Sequence, residues 1–183
     1  KFIILFSCEA MLKLNEFQEY IQSYPDFPNK GINFKDIFGL LQEPNIFRTL
    51  INKMASSENI QNCDTLLSID ARGFIFGSGI ALVSKKPMIV ARKPNKLPGN
   101  LIQKEYNLEY GKNALAIQKD ALKKYHKICI IDDILATGGT AECVQEMLES
   151  EGKEVLGFMM VIELISLNGA KKLTKPVESL IKM

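Results

Sequence analysis

The sequence predicts an α/β fold in which helices flank a mostly parallel sheet. From residue 65 onward, short apolar runs typical of strands alternate with helix-like segments. The run at residues 128–131 is continuously apolar, which is typical of a strand buried on both faces of a sheet. The chain has 183 residues, 46% of them hydrophobic, which is enough for a core without disulfides or a structural metal.

The first third of the chain contains two helix-like patterns. Residues 14–23 form a short amphipathic pattern that ends before Pro25. Residues 44–57 begin with Pro44, which suits the first turn of a helix, and apolar residues then recur at helical spacing. We therefore predict two helices before the α/β alternation begins.

The remaining elements follow the alternation in order. The predicted strands are 65–69, 87–91, 115–118, 128–131 and 154–162, and the predicted helices are 74–84 and 138–150. A sharp turn is expected at residues 70–73. Residues 92–107 are basic and contain Pro94, Pro98 and Gly99, which predicts an irregular loop. Ligands of such sheets bind at the carboxyl ends of strands, so functional residues are expected directly after strands.

Charge and cysteine usage exclude several classes of protein. The chain has 23 Lys+Arg against 21 Asp+Glu, which argues against a nucleic-acid coat or a polybasic membrane binder. We expect neither nucleic acid nor a membrane as a partner. Cys8, Cys63, Cys129 and Cys143 are scattered and form no C-x-x-C pair, so buried thiols are favoured over a disulfide or a zinc site. Reduced thiols predict a cytoplasmic location.

The N-terminus differs from a secretory signal peptide. Lys1 precedes an apolar run at residues 2–6, but this run is shorter than the usual hydrophobic region and Glu9 soon follows. We expect residues 1–10 to be an extension before a native start at Met11, and residues 11–183 to form a single domain.

The most informative segment follows the apolar run at residues 128–131. Two adjacent acids come first, and a turn of small residues then leads into the predicted helix. Consecutive backbone N–H groups of such a turn can point inward, and the helix N-terminus adds partial positive charge, so a phosphate can be held without a cationic side chain. This turn, the phosphate loop, consists of Ala136, Thr137, Gly138, Gly139 and Thr140.

The two acids, Asp132 and Asp133, are called the acidic pair below. When ionised they only accept hydrogen bonds, which suits the 2′ and 3′ hydroxyls of a ribose that carries the bound phosphate. The alternative is a helix-capping turn with two solvated acids, but capping needs one acid and adjacent acids repel. The spacing fits neither G-x-x-x-x-G-K nor G-x-G-x-x-G, and no third acid follows as in an aspartate-rich prenyl-transfer site.

The segment from Ile131 to Thr140 resembles the phosphoribosyl pyrophosphate (PRPP) loop of the type I phosphoribosyltransferases at every position of that motif. Further segments resemble the branch of this family that acts on adenine. They are residues 26–28 with 31–36, residues 70–74, residues 92–99 and residues 108–111. The resemblance extends from about residue 20 to residue 180 of the chain.

The resemblance implies roles for residues of each segment. The residues expected to bind PRPP are the acidic pair, the phosphate loop, Ala71, Arg72 and Tyr110. The residues expected to act in catalysis are Arg72, Lys93, Lys96 and Glu109, the last by managing the N7 proton of adenine. The residues expected to bind adenine are Asn33, Phe34, Lys35 and Ile134, with Phe34 stacking on the base.

The residues alone leave simpler alternatives open. Arg72 is also compatible with a surface ion pair, and the lysines are compatible with a solvated basic loop. Phe34 is equally compatible with a half-buried core position, and an acid at a loop end such as Glu109 is ordinarily a solvated charge.

The resemblance also implies a small N-terminal base-recognition hood, a mobile catalytic loop and a homodimer. The implied reaction transfers the 5-phosphoribosyl group of PRPP to adenine and gives AMP and pyrophosphate. Mg²⁺ is expected as a cofactor held mainly by substrate, because no protein-only metal cage is visible. Two alternatives are a regulatory protein that senses PRPP and an enzyme for another base. The regulator is disfavoured because few residues precede the domain and the catalytic loop is intact.

Overall fold

The computed structural model describes residues 14–108 and 111–183. The chain divides into two compact units between Thr49 and Leu50.

The first unit is built around a small antiparallel sheet. Its elements are a 3₁₀ helix (Leu14–Tyr20), β1 (Gln22–Pro25), β2 (Asn33–Asp36), α1 (Phe38–Gln42) and the start of α2 (Pro44–Ala55). The helix predicted over residues 14–23 ends earlier than expected, because Gln22 already pairs with Asp36 in the sheet. The second predicted helix, α2, is confirmed and begins at Pro44 as expected.

The connection between β1 and β2 contains two residues with left-handed backbone. Asp26 has φ 57° and Gly31 has φ 91°, and the Gly31 N–H donates to Asp26 Oδ1 over 2.7 Å. The Phe27 N–H donates to the Ile32 carbonyl over 3.2 Å and closes the turn. An aspartate and a glycine therefore shape this turn, in keeping with their tolerance of positive φ.

The second unit contains the large sheet. Its strands are β3 (Thr65–Ile69), β4 (Met88–Arg92), β5 (Leu101–Leu108), β6 (Gly111–Gln118), β7 (Lys127–Leu135), β8 (Glu154–Glu163) and β9 (Val177–Lys182). Its further helices are α3 (Glu58–Asn62), α4 (Gly73–Ser84), α5 (Lys119–Leu122) and α6 (Gly139–Ser150). Short 3₁₀ helices lie at Pro94–Lys96, Ile165–Leu167 and Gly169–Lys172.

The seven strands form one sheet in the order β5-β6-β4-β3-β7-β8-β9. β3 pairs in parallel with β4 and β7, and the parallel pairing continues through β8 to β9. Only the edge formed by β5 and β6 is antiparallel. The predicted fold class, a mostly parallel sheet flanked by helices, is confirmed.

The core is centred on β3 and β7. Ile128, Cys129, Ile130 and Ile131 are all fully buried, as predicted for a strand covered on both faces. α4 approaches the sheet closely at Gly77, where an added Cβ would lie 2.8 Å from the Ser68 Cβ. Gly77 thus permits close packing of α4 on the sheet, whereas Gly79 of the same helix faces Ile51 of α2.

One predicted element is wrong. Residues 92–107 are not an irregular loop, because a short 3₁₀ helix and all but the last residue of β5 lie there. β5 pairs along its whole length with β6, which is correspondingly longer than the predicted strand 115–118. Neither strand is strongly apolar, so each depends on pairing with the other, and that contact is invisible when each segment is considered alone.

Three of the four cysteines fall within the described part of the chain, and all three are free and buried, as predicted. Burial raises the pKa of the Cys143 thiol to about 11, so this thiol stays protonated near neutral pH. Cys8 lies outside the described residues. Among the helices of the described ranges, none is both long and apolar enough to span a membrane.

Candidate active site

The candidate site is a cavity of about 640 Å³ at the carboxyl ends of β3, β4 and β7. This is the edge at which open parallel sheets bind ligands, and the volume lies within the range of small-molecule sites. Twelve of the predicted site residues line it: Ala71, Arg72, Lys93, Lys96, Asp132, Asp133, Ile134 and the five residues of the phosphate loop. The cavity therefore unites residues from three separate stretches of sequence.

The phosphate loop joins β7 to α6. Gly138 adopts left-handed backbone with φ 83° at the N-cap of α6, and its carbonyl accepts the first helical hydrogen bond from Glu142 at 2.9 Å. Within the described residues, no side chain caps this helix N-terminus. The first N–H groups of a helix have no partner inside the helix, so this end of α6 is suited to an anion.

The acidic pair lies inside the last four residues of β7, which corrects the prediction that the strand ends before these acids. Asp133 is buried, whereas Asp132 is partly exposed in the cavity. Asp132 Oδ1 accepts a hydrogen bond from the Asp133 N–H at 2.9 Å. Because neighbouring strand residues point to opposite faces, the two carboxylates have different surroundings despite being adjacent.

Burial is the main electrostatic influence on the acidic pair. Although part of Asp132 remains exposed to the cavity, burial of its carboxyl among the surrounding residues and repulsion by Asp133 raise its pKa well above the usual range. Burial also raises the pKa of Asp133, although the adjacent Arg72 guanidinium opposes this rise. The ionised pair is thus in an unfavourable environment, which a bound cation or hydroxyl donor would improve.

Glycine at position 73 lets α4 begin beside the acidic pair. A Cβ on Gly73 would lie 2.8 Å from Asp132 Oδ1 and 3.2 Å from the Ile131 carbonyl oxygen. Any larger residue would press against the carboxylate.

Arg72 and Arg92 are both held by aspartates. Arg72 Nε lies 2.9 Å from Asp133 Oδ2, so the ion pair considered from the sequence is present within the site itself. Arg92 Nε lies 2.9 Å from Asp70 Oδ2, and its guanidinium carbon is 5.5 Å from the centre of the Phe74 ring. These pairs hold the two guanidinium groups close to the turn between β3 and α4.

Lys93 and Lys96 lie in the basic segment, residues 92–96, which follows β4. Both lysines are exposed at the cavity wall, and residues 94–96 form a single 3₁₀ turn. The structure brings them to the same cavity as the acidic pair, as the sequence predicts.

The hairpin formed by β5 and β6 also contributes to the cavity, and no pattern in the sequence predicts this contribution. Tyr106, Asn113 and Leu115 line it. The Thr140 hydroxyl donates to the Tyr106 hydroxyl over 3.3 Å, which links the hairpin to the phosphate loop. An isolated tyrosine in a polar segment gave no signal for this contact, because the contact depends on how β5 packs against α6.

The predicted adenine-binding residues Asn33, Phe34 and Lys35 lie in β2, in the first unit. Phe34 is half-buried, and its ring meets the Phe27 ring edge to face, with 5.3 Å between centres. Lys35 Nζ donates to Ser23 Oγ over 2.7 Å. Ile134, the fourth predicted residue of this set, lines the cavity. Glu109 and Tyr110 lie outside the described residues.

Comparison with known proteins places these features in a family. Residues 40–181 match the phosphoribosyl transferase domain. An adenine phosphoribosyltransferase of Prochlorococcus marinus is 60% identical over 165 residues, which are 90% of this chain and 96% of that protein.

Solved structures give the same result. The adenine phosphoribosyltransferase of Thermoanaerobacter pseudethanolicus has a TM-score of 0.88 at 39% identity, with 93% of this chain and 100% of that chain covered. The Saccharomyces cerevisiae enzyme, solved in complex with adenine and an imino-altritol bisphosphate, has a TM-score of 0.84 at 34% identity, covering 91% of this chain and 97% of its own.

Proposed function

The chain belongs to the adenine phosphoribosyltransferases of the phosphoribosyltransferase family, and we propose that the cavity at the strand ends is its active site. The reaction joins adenine to the ribose of PRPP and releases pyrophosphate, giving AMP for purine salvage. The observation that supports this location is the meeting of the phosphate loop, the acidic pair and the basic segment in one cavity.

The phosphate loop is the proposed site of the 5-phosphate of PRPP. The backbone N–H groups at the start of α6 would donate to it, as would the Thr137 hydroxyl and, once it turns from Tyr106, the Thr140 hydroxyl. Asp132 and Asp133 would accept hydrogen bonds from the ribose hydroxyls. As pyrophosphate leaves, positive charge develops on the ribose, and nearby carboxylates favour that charge.

The basic side of the cavity would stabilise the leaving pyrophosphate. Arg72, Lys93 and Lys96 supply positive charge there, and Ala71 and Tyr110 complete the proposed PRPP site. Exposed lysines at the cavity wall can reach an anionic ligand and exclude part of its water.

Magnesium is the proposed cofactor, held mainly by substrate oxygens and water. The acidic pair fits a hard divalent cation, because carboxylate oxygen is a preferred ligand and a cation would offset the burial and the repulsion by Asp133 that raise the pKa of Asp132. When bound, magnesium neutralises charge on the pyrophosphate. Asp132 is the protein group that we assign to it.

Base recognition is the proposed role of the first unit within a single functional domain of residues 11–183. Phe34 would stack on adenine, groups at Asn33 and Lys35 would recognise its edge, and Ile134 would contact its other face. Glu109 would exchange the N7 proton as N9 attacks the ribose.

Two further properties complete the proposal. We expect the enzyme to act in the cytoplasm, since its described cysteines are free thiols. We also expect a homodimer, on the family resemblance alone, which sedimentation of the purified protein tests.

A purine competition assay tests the proposed function. Adenine, guanine and hypoxanthine are supplied at equal concentration with limiting PRPP and magnesium, and the nucleoside monophosphates are separated by chromatography. AMP is the expected product. A variant with both Asp132→Asn and Asp133→Asn, prepared identically, controls for contaminating host enzyme. Formation of GMP or IMP in preference to AMP contradicts the base assignment, and binding of PRPP without any product indicates a sensor instead.

A further inference from the structure

Gly169 lies directly against the backbone of the phosphate loop. It is buried, and a Cβ built on it would overlap the carbonyl oxygen of Ala136 and lie 2.8 Å from the backbone nitrogen of Gly138. Both atoms belong to the backbone of the phosphate loop. An added methyl group would therefore displace peptide units, because no flexible side chain is available there to move aside.

The contact is reciprocal. A Cβ on Gly138 would lie 2.5 Å from the Gly169 carbonyl oxygen and 3.1 Å from its Cα. Two glycine backbones thus lie against each other with no side chain between them. Gly138 is also the residue whose left-handed backbone allows the loop to turn into α6.

The segment that contains Gly169 is anchored on both sides. Before it, the Leu164 N–H donates to the Leu135 carbonyl over 2.9 Å. After it, the Thr174 N–H donates to Gln145 Oε1 over 3.3 Å, and the Gln145 amide also bonds the Thr174 hydroxyl. Gln145 is buried in α6. Because both ends of the segment are held, we expect the phosphate loop to be displaced when an atom is added at Gly169.

We propose that Gly169 is a positioning residue for PRPP binding, which sets the conformation of the phosphate loop through direct backbone contact. It touches no substrate atom itself. Its lack of a side chain keeps the Ala136 carbonyl and the Gly138 N–H where the loop needs them. This inference rests on the proposed function, since it assumes that the loop binds the 5-phosphate of PRPP.

The test compares Gly169→Ala with Gly157→Ala in the full chain. Gly157 is an equally buried glycine whose added Cβ would lie 2.6 Å from Asn59 Nδ2 and 2.9 Å from the Pro176 carbonyl. Neither neighbour belongs to the cavity lining described above. Both variants should therefore lose thermal stability through crowding, but only Gly169→Ala should disturb the phosphate loop.

Calorimetry with PRPP and with ribose 5-phosphate provides the readout. Gly169→Ala should weaken both ligands by a similar factor, up to about 100-fold, because both present the same 5-phosphate to the misplaced loop. Gly157→Ala should bind both ligands like the wild type. Affinities of Gly169→Ala within about twofold of Gly157→Ala overturn the inference. If the wild type itself binds no PRPP, the proposed function fails instead.

A second variant covers the case in which Gly169→Ala does not fold. Gln145→Met removes the hydrogen bonds that hold the Thr174 side of the segment and adds no atom near the phosphate loop. PRPP affinity should fall roughly several-fold, because the segment that contains Gly169 is then held less firmly against the phosphate loop. Wild-type affinity in a folded Gln145→Met variant overturns the inference.

Discussion

The phosphate loop and the basic segment line the same cavity but are built in different ways. The phosphate loop lies between a buried strand and a helix, and glycine contacts fix its backbone. The basic segment is exposed, and only Arg92 within it is held by an ion pair, to Asp70, among the residues that the structure describes. The phosphate loop is suited to bind a ligand through backbone groups held in place, and the basic segment is suited to bind it through charged side chains exposed to solvent.

This difference predicts a hierarchy of effects. Changes next to the phosphate loop should impair the reaction severely and respond little to salt, because the groups there are partly or fully buried and belong to packed elements. Changes in the basic segment should have modest effects that salt suppresses.

The largest effect is expected for the acidic pair. Replacing both Asp132 and Asp133 with Asn keeps their shapes but removes the charges that favour the cationic ribose. A fixed electrostatic contact typically raises kcat by about 10²–10³-fold. If each carboxylate contributes that much, kcat of the double variant should fall by about 10⁴-fold or more. The measurement is kcat at saturating substrates, with circular dichroism to verify folding. A double variant with near-native turnover rules out this role.

The next largest effect is expected for Glu109→Gln. The amide keeps the size and can hydrogen-bond adenine, but it cannot exchange the N7 proton, so kcat should fall by about 10²–10⁴-fold. PRPP affinity should change little. Glu105→Gln, at an exposed acid of β5, is the matched control.

The chemical step has to be isolated for this comparison. A pre-steady-state burst separates chemistry from product release. If the burst rate of Glu109→Gln equals that of the wild type, the proton is transferred elsewhere and Glu109 has no catalytic role.

The phosphate loop and the acidic pair could be predicted from the sequence, because the elements that form them are adjacent along the chain. The strand, the acids, the small turn and the helix follow one another along the chain, and β3 has the same bounds as predicted. β5 was missed because its stability depends on pairing with β6, and Gly169 was missed because it meets the loop from about thirty residues away. Contacts distant in sequence leave no local pattern.

A smaller effect is expected in the basic segment. Lys93→Ala and Lys96→Ala should each raise KM for PRPP by about fivefold at low salt, since an exposed charge contributes about 1 kcal/mol or less. The effect should shrink as ionic strength rises, because salt screens exposed charges. Lys124→Ala, an exposed lysine outside the cavity lining, is the control. An effect that persists in high salt would place the lysines in a buried contact instead.

The smallest effect concerns stability. Burial raises the pKa of Asp132 in the folded protein, so protonation of this carboxyl stabilises the fold. This stabilisation is present at low pH and is lost as the pH rises through the raised pKa. Asp132→Asn should therefore raise the unfolding temperature of the ligand-free protein at neutral pH, on the order of a few degrees. The difference in unfolding temperature between Asp132→Asn and the wild type should disappear as the pH is lowered and Asp132 becomes protonated.

Asp64 provides a control of opposite sign. Hydrogen bonds from the backbone N–H groups of Lys127 and His126 lower the pKa of this exposed acid. Its contribution is present above the ordinary pKa and is lost as pH falls through the lowered value. Asp64→Asn should thus lower the unfolding temperature at neutral pH. Equal shifts for both variants would contradict the assigned environments.

The central claim is that backbone geometry of the phosphate loop, rather than side-chain charge, holds PRPP. Calorimetric titration of PRPP into Gly139→Val and Thr137→Val tests it most directly. A valine at the first residue of α6 would place a side chain at the proposed phosphate site, so affinity should fall by about 100-fold or more while the fold survives. Thr137→Val removes one hydroxyl and keeps its N–H, so the loss should be about tenfold or less. Unchanged affinity in Gly139→Val would contradict the claim.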